Sequence, residues 1–510
     1  MCKRLFQQLS GLSFLLFVLD AHAAGVFIPA SARVDMSHDS ARNVIYISNG
    51  PQILRYDLGS ASFLTPYELG GSLSGIDLSP DGNTLAVADR TYDATDLWIY
   101  LIDLNTGVSA KITFPRQFYE GGAFTVSYGN DGKLLVSSMF QGSGWVPLRK
   151  YDPTTGDVEI VKSMVRQDTM LSASGDAGTI AYTENNISSG PIGRYKVDSQ
   201  SLEQGPSTGW FTFEVGTNKN GTHYSVPTYD GTFVYDGLWS LQAVIGTYAG
   251  PQPIGVVYHP VEDRVYYPWA ETTEVREFDT TTNTQIAAYN FEDTFAHTGN
   301  FAFRQGRMKI SRDGSLLMAT VTGGVRILRL YEPLNASSQS ITLDEDVSTS
   351  VTLSGTIGNG GALSYSVVAG PSMGALSGNP PNLIYTPNEN ASGNDSFTYK
   401  VQYGRAEVEA SVAITVNPVN DAPLAFDDFV NSNQKRVSIP VLLNDSDVDG
   451  DRLTIISVTQ PINGGLTSIS DDGQTVKYER NGGKDKSDSF EYTISDGNGG
   501  TSTATVYVNR

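Results

Sequence analysis

IDLSPDGNTLAVAD, residues 76–89, reads as a strand, a tight turn built on Asp81 and Gly82, and a second strand. The phrase returns as VSYGNDGKLLVSS (126–138), LSASGDAGTIAYT (171–183) and MKISRDGSLLMAT (308–320). Weaker copies are VDMSHDSARNVIYIS (34–48), VGTNKNGTHYSV (215–226) and VVYHPVEDRVYYP (256–268). The turn residues are Asp39, Asp81, Asp131, Asp176, Asn220, Asp263 and Asp313, spaced by 42, 50, 45, 44, 43 and 50 residues. That period suits a unit of four short strands, which cannot bury its faces alone and stacks on copies of itself.

Between the copies runs a second phrase, a strand followed by Asp and a Thr-Gly-like turn. It occurs at LRYDLGSASFL (54–64), IYLIDLNTGVSAKI (99–112), LRKYDPTTGDVEIV (148–161), GRYKVDSQSLEQ (193–204) and VREFDTTTNTQIAAY (275–289). Apolar residues alternate and the turn supplies Gly, Asn or Ser, as a hairpin requires. Phrase and spacing together resemble the seven-bladed β-propeller family with YVTN or WD40-like repeats, over residues 24–334. The resemblance implies a fold and is silent on function. GVFIPASARVDM (25–36) is expected to pair with the last blade near GGVRILRLYEP (323–333), closing the ring and leaving no free edge.

After Pro333 the phrase stops, and LNASSQS (334–340) reads as a polar linker. The remainder of the chain repeats on a longer period, with NDSFTYKV (394–401) in one copy matched by SDSFEYTI (487–494) in the next. Short alternating strands separated by turns point to β-sandwiches at 338–418 and 419–510. On NPVNDAP (417–423), LNDSDVDGD (443–451) and SDGNGGTSTATVYV (495–508), these copies resemble bacterial cadherin-like or Ig-like tandem modules. The expected fold class is therefore all-β, a seven-bladed β-propeller followed by two β-sandwiches. Members of the resembled family bind calcium near module ends and junctions and occur in surface and adhesion proteins, so the resemblance implies contact outside the cell.

LNDSDVDGDRL (443–453) sets Asp445, Asp447, Asp449 and Asp451 on alternate positions. A calcium loop and a solvated acidic turn both fit. Four crowded carboxylates repel one another without a cation, which favours calcium, a hard ion taking six to eight oxygens. The first half matches an EF-hand loop, but the place of its bidentate Glu is held by Ile456, so further ligands must come from elsewhere. The resemblance, which joins the module junction to this loop, offers Asn420, Asp421, Asp427 and Asp428. Asp496 reads as a turn former. The first module has SGTIGNGGALSY (354–365) in place of the aspartate loop, with DEDV (344–347) as its only strong acidic group.

MCKRLFQQLSGLSFLLFVLDAHA, residues 1–23, has a basic start, a short apolar run and an Ala-His-Ala ending, the pattern of a secretory signal peptide. The run is too short to cross a bilayer, and no later stretch is apolar enough. Cys2 is the only cysteine, so the exported chain has no thiol for disulfides, zinc or nucleophilic chemistry. A net charge of −21 disfavours nucleic acid and anionic lipid as partners and favours cations. His38, His223, His259 and His297 are scattered, without HExxH, and there is no GxSxG elbow, P-loop or Rossmann glycine pattern. Trp98, Trp145, Trp210, Trp239 and Trp269 are candidates for blade packing or for a stacking face.

The expected function is a secreted or cell-surface, calcium-binding, noncatalytic adhesion or binding protein, whose propeller presents a face to an extracellular protein or polysaccharide. The periplasm is a second address compatible with export. The alternative is an exported propeller enzyme, a lactonase-like hydrolase with accessory sandwiches, whose mark is clustered Glu, Asp, His or Arg in the central channel.

Overall fold

A computed structural model describes residues 25–142, 144–185, 190–208, 211–246, 251–296, 306–481 and 487–509. The signal peptide expected at 1–23, with Cys2, lies outside these residues, as do Trp210 and His297. Among the described residues the structure is all-β, and the turn of 3-10 helix at Val441–Leu443 is the only helix. No helix of these residues is long and apolar enough to cross a membrane. The chain forms two compact units. One takes in residues up to Ala336 together with Gly355–Ser364 and Lys400–Val408, and the other Ser337–Ser354, Tyr365–Tyr399 and Glu409–Arg510.

The first unit holds seven four-stranded antiparallel sheets among the described residues. Strands Arg33–Asp39, Val44–Asn49, Gln52–Asp57 and Ser62–Glu68 pair in chain order, and five further sheets repeat this meander. The seventh joins Met308–Ile310, Leu316–Val321 and Gly324–Arg329 to Val26–Pro29 from the other end of the unit. There Val26 lies opposite Ile327 and Pro29 opposite Gly324, the expected closure.

The first strand of each sheet neighbours that of the next, and Met308–Ile310 returns to Arg33–Asp39, so the sheets form a ring. This is a β-propeller. Burial follows the architecture: Glu120–Tyr128, a first strand, is buried throughout, whereas the fourth strand Ser109–Pro115 is mostly exposed. The core lies between adjacent sheets. Ile28, Val325 and Ile327 of the closing sheet, for example, pack on Met36, Ile45 and Ile47 of the first.

Asp39, Asp81, Asp131, Asp176 and Asp313 each cap their own turn, whereas in the Asp263 copy His259 Nδ1 takes the turn N–H groups. Asp81 Oδ1 accepts from Ser79 Oγ at 2.5 Å and Asn83 N at 3.0 Å, and Asp176 and Asp313 repeat the arrangement. These residues recur for geometry. The second phrase falls between third and fourth strands, and a copy without a Thr-Gly turn sits at Asp236, whose Oδ1 accepts from Leu238 N and Ser240 N.

Beyond the propeller two sandwiches repeat one topology. The first has a sheet of Gln339–Asp344, Ala406–Asn417, Gly393–Tyr403 and Ser364–Ala369, and a sheet of Thr349–Thr352, Asn382–Pro387 and Gly374–Asn379. The second pairs Asp428–Asn431, Thr501–Asn509, Asp488–Ser495 and Thr454–Val458 in the same order, facing Arg436–Ile439, Val476–Glu479 and Leu466–Ile469. In both, the edge strand runs parallel to its neighbour. The shared Asp-Ser-Phe phrase has a packing reason: Tyr385 donates to Asp395 at 2.9 Å, and Tyr478 to Asp488 at 3.1 Å, locking the two sheets together around a buried carboxylate.

Candidate functional site

The chain leaves the turn Val441–Leu443 and enters a loop that wraps around Asp447. Oδ1 of Asp447 accepts from Asp449 N at 3.0 Å and Asp451 N at 3.2 Å. Gly450 takes φ 77°, a left-handed conformation that favours glycine and turns the loop back. One carboxylate oxygen from each of Asp447, Asp449 and Asp451 lies within 4.8 Å of the others, the only such group among the described residues. The backbone N–H of Asp421 donates to Asp449 Oδ2 at 2.7 Å, so the module junction reaches the loop.

Asp421 Oδ2 and Asp447 Oδ2 are buried without a hydrogen-bond partner. Burial, and then Asp346, Asp449, Glu345 and Asp447, push the Asp421 carboxyl above its ordinary value. Two oxygens that water cannot freely reach, among like charges, fit a hard cation. Asp447, Asp449, Asp451 and Asp421 would hold it. Asn498 supports Asp451 at 2.6 Å, and Asn420 binds Asp496 Oδ2 at 2.8 Å rather than facing the loop. Asp496 itself accepts from the N–H groups of Asn498, Gly499 and Gly500, the turn role expected of it.

The other candidates form a separate group. Asp445 Oδ1 accepts from Phe426 N at 2.8 Å and from the Tyr492 hydroxyl at 2.9 Å, and Asp427 Oδ1 from Thr505 N at 2.8 Å. Burial, followed by Asp445 and Asp427, raises the Asp428 carboxyl to about 6. Thus the eight candidates divide into a converging set, a set tied to Tyr492 and neighbouring strands, and Asn420. Ile456 lies inside the strand Thr454–Val458. In the first module Tyr399, the counterpart of Tyr492, donates to the backbone oxygens of Ser337 and Ser354 instead of a carboxylate.

Glu345 and Asp346 reach the junction although nothing in the local sequence gives DEDV a partner. The parallel pairing that sets Asp344 opposite Asn417 brings these positions together, and Glu345 Oε1 accepts from Val419 N at 2.7 Å. The acidic run DEDV is the one available signal, but only a pairing across some 75 residues gives it meaning.

On the propeller, Trp98 and Trp269 are buried, and Trp239 packs on Tyr224 at 4.6 Å. Trp145 is different: it is 55% exposed, with Arg166 over its ring at 4.9 Å. Nearby, Phe118, 84% exposed, lies 4.0 Å from Tyr119, which lies 5.9 Å from Phe140. Arg116 covers Tyr92 at 4.2 Å, and Tyr119 holds φ 62°, unusual for an aromatic residue.

Of the described histidines, His259 is tied into the fold by its hydrogen bonds. His259 Nδ1 accepts from Val261 N and Glu262 N, which puts its proton on Nε2 facing the Tyr331 hydroxyl at 2.7 Å. Burial lowers both His38 and His259 to about 4. His223 Nδ1 lies 3.3 Å from Asn218 Nδ2. Asp35, on the innermost strand Arg33–Asp39, does meet Glu214 and Arg307, which stand just before Gly216–Thr217 and Met308–Ile310, as the hydrolase alternative asks. All three are buried: Arg307 Nε donates to Asp35 Oδ1 at 3.1 Å and Nη1 pairs with Glu214, while both carboxylates also accept backbone N–H groups. The carboxylates are committed to a cation and to amides, which supports the ring.

Residues 332–417 and 420–509 each match the family of the bacterial Ig domain. No curated protein matches the chain. Among solved structures, the chain is similar to Kuenenia stuttgartiensis hydrazine synthase at 11% identity, with 60% of this chain and 98% of that chain covered and a TM-score of 0.46. It is also similar to a chain of the mitotic checkpoint complex at 13% identity, covering 64% and 100%, with a TM-score of 0.47. A third is the β-propeller domain of Cps50 (Swd1) from Myceliophteria thermophila at 11% identity, covering 60% and 99%, with a TM-score of 0.45. The chain thus holds a β-propeller followed by two sandwiches, residues 332–417 and 420–509, that match the bacterial Ig domain.

Proposed function

We propose that this is an exported, calcium-dependent adhesion or binding protein: the propeller offers a ligand face, and calcium stiffens the junction of its Ig domains. The observation that carries the reading is the convergence of Asp447, Asp449 and Asp451 on Asp421, with buried oxygens on Asp421 and Asp447 that have no donor. A divalent ion neutralises these carboxylates and fixes the angle of the junction, lowering the entropy lost on engaging a partner. The sequence of residues 1–23 supports export, and bacterial Ig domains suit a surface or secreted address.

The ligand face is the ledge of Tyr92, Phe118, Tyr119, Phe140 and Trp145. Exposed rings beside Arg116 and Arg166 suit a polysaccharide, whose sugar faces stack on rings and whose hydroxyls accept from guanidinium groups. The test is thermal melting of the full chain with EDTA and then with millimolar calcium or magnesium. Calcium raises the melting temperature of one transition, and magnesium less so, because Mg2+ demands stricter octahedral geometry. An unchanged melt sinks the calcium reading.

A further inference from the structure

We propose that the propeller channel contains a binding site for a small oxyanion, phosphate or sulfate, formed by Lys309, Arg312 and Arg405. The three cations line one cavity of about 140 Å3. Lys309 lies on the innermost strand Met308–Ile310, and Arg312 in the turn after it. Arg405 stands at the tip of the hairpin between Gly393–Tyr403 and Ala406–Asn417, in the segment Lys400–Val408 that belongs to the same compact unit as the propeller.

The charges are only partly balanced: Asp77, Asp39 and Asp81 act on Arg312 and Asp77 and Asp176 on Arg405, none of them in an ion pair with either. Among the described residues Asp77 is the only carboxylate lining the cavity, and its oxygens already accept from Leu78 N at 3.0 Å and Tyr128 N at 2.8 Å. Arg312 donates to the backbone oxygens of Leu78, Ser79 and Pro80, none of them charged. Lys309 and Arg405 make no hydrogen bond or ion pair with the described residues. His38 also lines the space, and burial keeps it neutral. Three cations and one carboxylate line this space in a chain of net charge −21. Burial and the nearby Arg405 push Arg312 down to about 10, and burial lowers Arg405 too; an anion between them relieves both costs.

Neutral donors complete the pocket. Ser37, Ser127 and Ser172, from three different innermost strands, line it with hydroxyls that make no hydrogen bond to the described residues. The volume holds one tetrahedral anion with water beside it. The hairpin is seated for this purpose. Glu262 Oε1 accepts from Tyr403 OH at 3.2 Å and pairs with Asn359, and a side chain at Gly404, φ 60°, would meet Val261 Cγ2 at 2.3 Å. Were Arg405 only an anchor, it would hold a carbonyl or a carboxylate; it holds neither.

The proposal stands on the first unit alone, so its failure leaves the calcium reading untouched. The experiment is calorimetric titration of the full chain in EDTA with inorganic phosphate, sulfate, phenyl phosphate and acetate at constant ionic strength. One saturable phosphate per chain, competed by sulfate and weaker for acetate, is expected. Lys309→Met and Arg405→Gln each weaken it at least tenfold, while Lys435→Gln, at an exposed position, does not. Arg405→Lys, which keeps the charge, retains partial binding and guards against misfolding of the neutral variant. Saturation by phenyl phosphate as well identifies a terminal group on a larger molecule, and saturation by phosphate alone a free anion. Absence of saturable binding by both phosphate and sulfate, or binding that survives both neutral substitutions in folded protein, overturns the proposal.

Discussion

Tyr492 donates its hydroxyl to Asp445 Oδ1 at 2.9 Å, from the core of the second Ig domain to the start of the acidic loop. The contact separates Asp445 from the aspartates it resembles in sequence. Asp445 holds the loop to the sandwich, which leaves Asp447, Asp449 and Asp451 to converge.

That division predicts two phenotypes. Asp447→Asn and Asp449→Asn should abolish the calcium response with little change in the metal-free melt. In the parent chain, calcium at about a hundred times its dissociation constant should stabilise by about 2.7 kcal/mol. Retention of the full shift by the double variant would falsify this assignment.

Tyr492→Phe should instead destabilise the domain by about 1–3 kcal/mol, because Asp445 and the Phe426 carbonyl lose a buried donor. Its calcium-induced shift should persist. Denaturant melts with and without calcium separate the two effects.

Acid should move the two units in opposite directions. Asp428 is raised to about 6 from 3.8, so the folded state binds its proton more tightly; its contribution is complete below pH 3.8 and is lost as pH rises through 6. His38 and His259 are lowered to about 4 from 6.5, so their contribution is present above pH 6.5 and lost as pH falls through 4. In EDTA, going from pH 6.5 to 4.5 should stabilise the Ig transition and destabilise that of the propeller. Asp428→Asn should flatten the first trend, as read by calorimetry.

Trp145→Ala and Phe118→Ala should leave stability within about 0.5 kcal/mol, since both rings are largely exposed. If the ledge is the ligand face, glycan-array signals of the full chain fall with either substitution. Unchanged signals would place the ligand elsewhere.

Ile28→Ala should cost about 2–5 kcal/mol, because this fully buried side chain joins the closing sheet to the first. Val26→Ser, at an exposed position on the same strand, should cost far less. Urea melts of both variants measure the difference.

The propeller is legible in the sequence because most of its turn aspartates make the same hydrogen bonds, and a repeated physical need leaves a repeated letter. The copy at Asp236 escapes because Leu238-Trp239 stands where the other turns carry small or polar residues, although the carboxylate does the same work. The acidic loop is legible as a group but not in its parts, since alternation along a chain does not tell which carboxylate a distant tyrosine takes. Glu345 and Asp346 become neighbours of Asp421 only through strand pairing. Lys309, Arg312 and Arg405 belong to no local motif, and no spacing reveals them.

The pairing of Val26–Pro29 with Gly324–Arg329 also bears on how the chain is made. During synthesis the early strand must wait for its partner until almost three hundred more residues have emerged, so its sheet cannot form vectorially with the others. A ribosome-bound propeller is therefore an open arc with two unsatisfied edges, exposed to chaperones and to proteases. Once the last strand arrives, the ring closes on both ends at once. Loss of either end then returns the whole ring to the arc, which makes unfolding cooperative across sheets that individually touch only their neighbours.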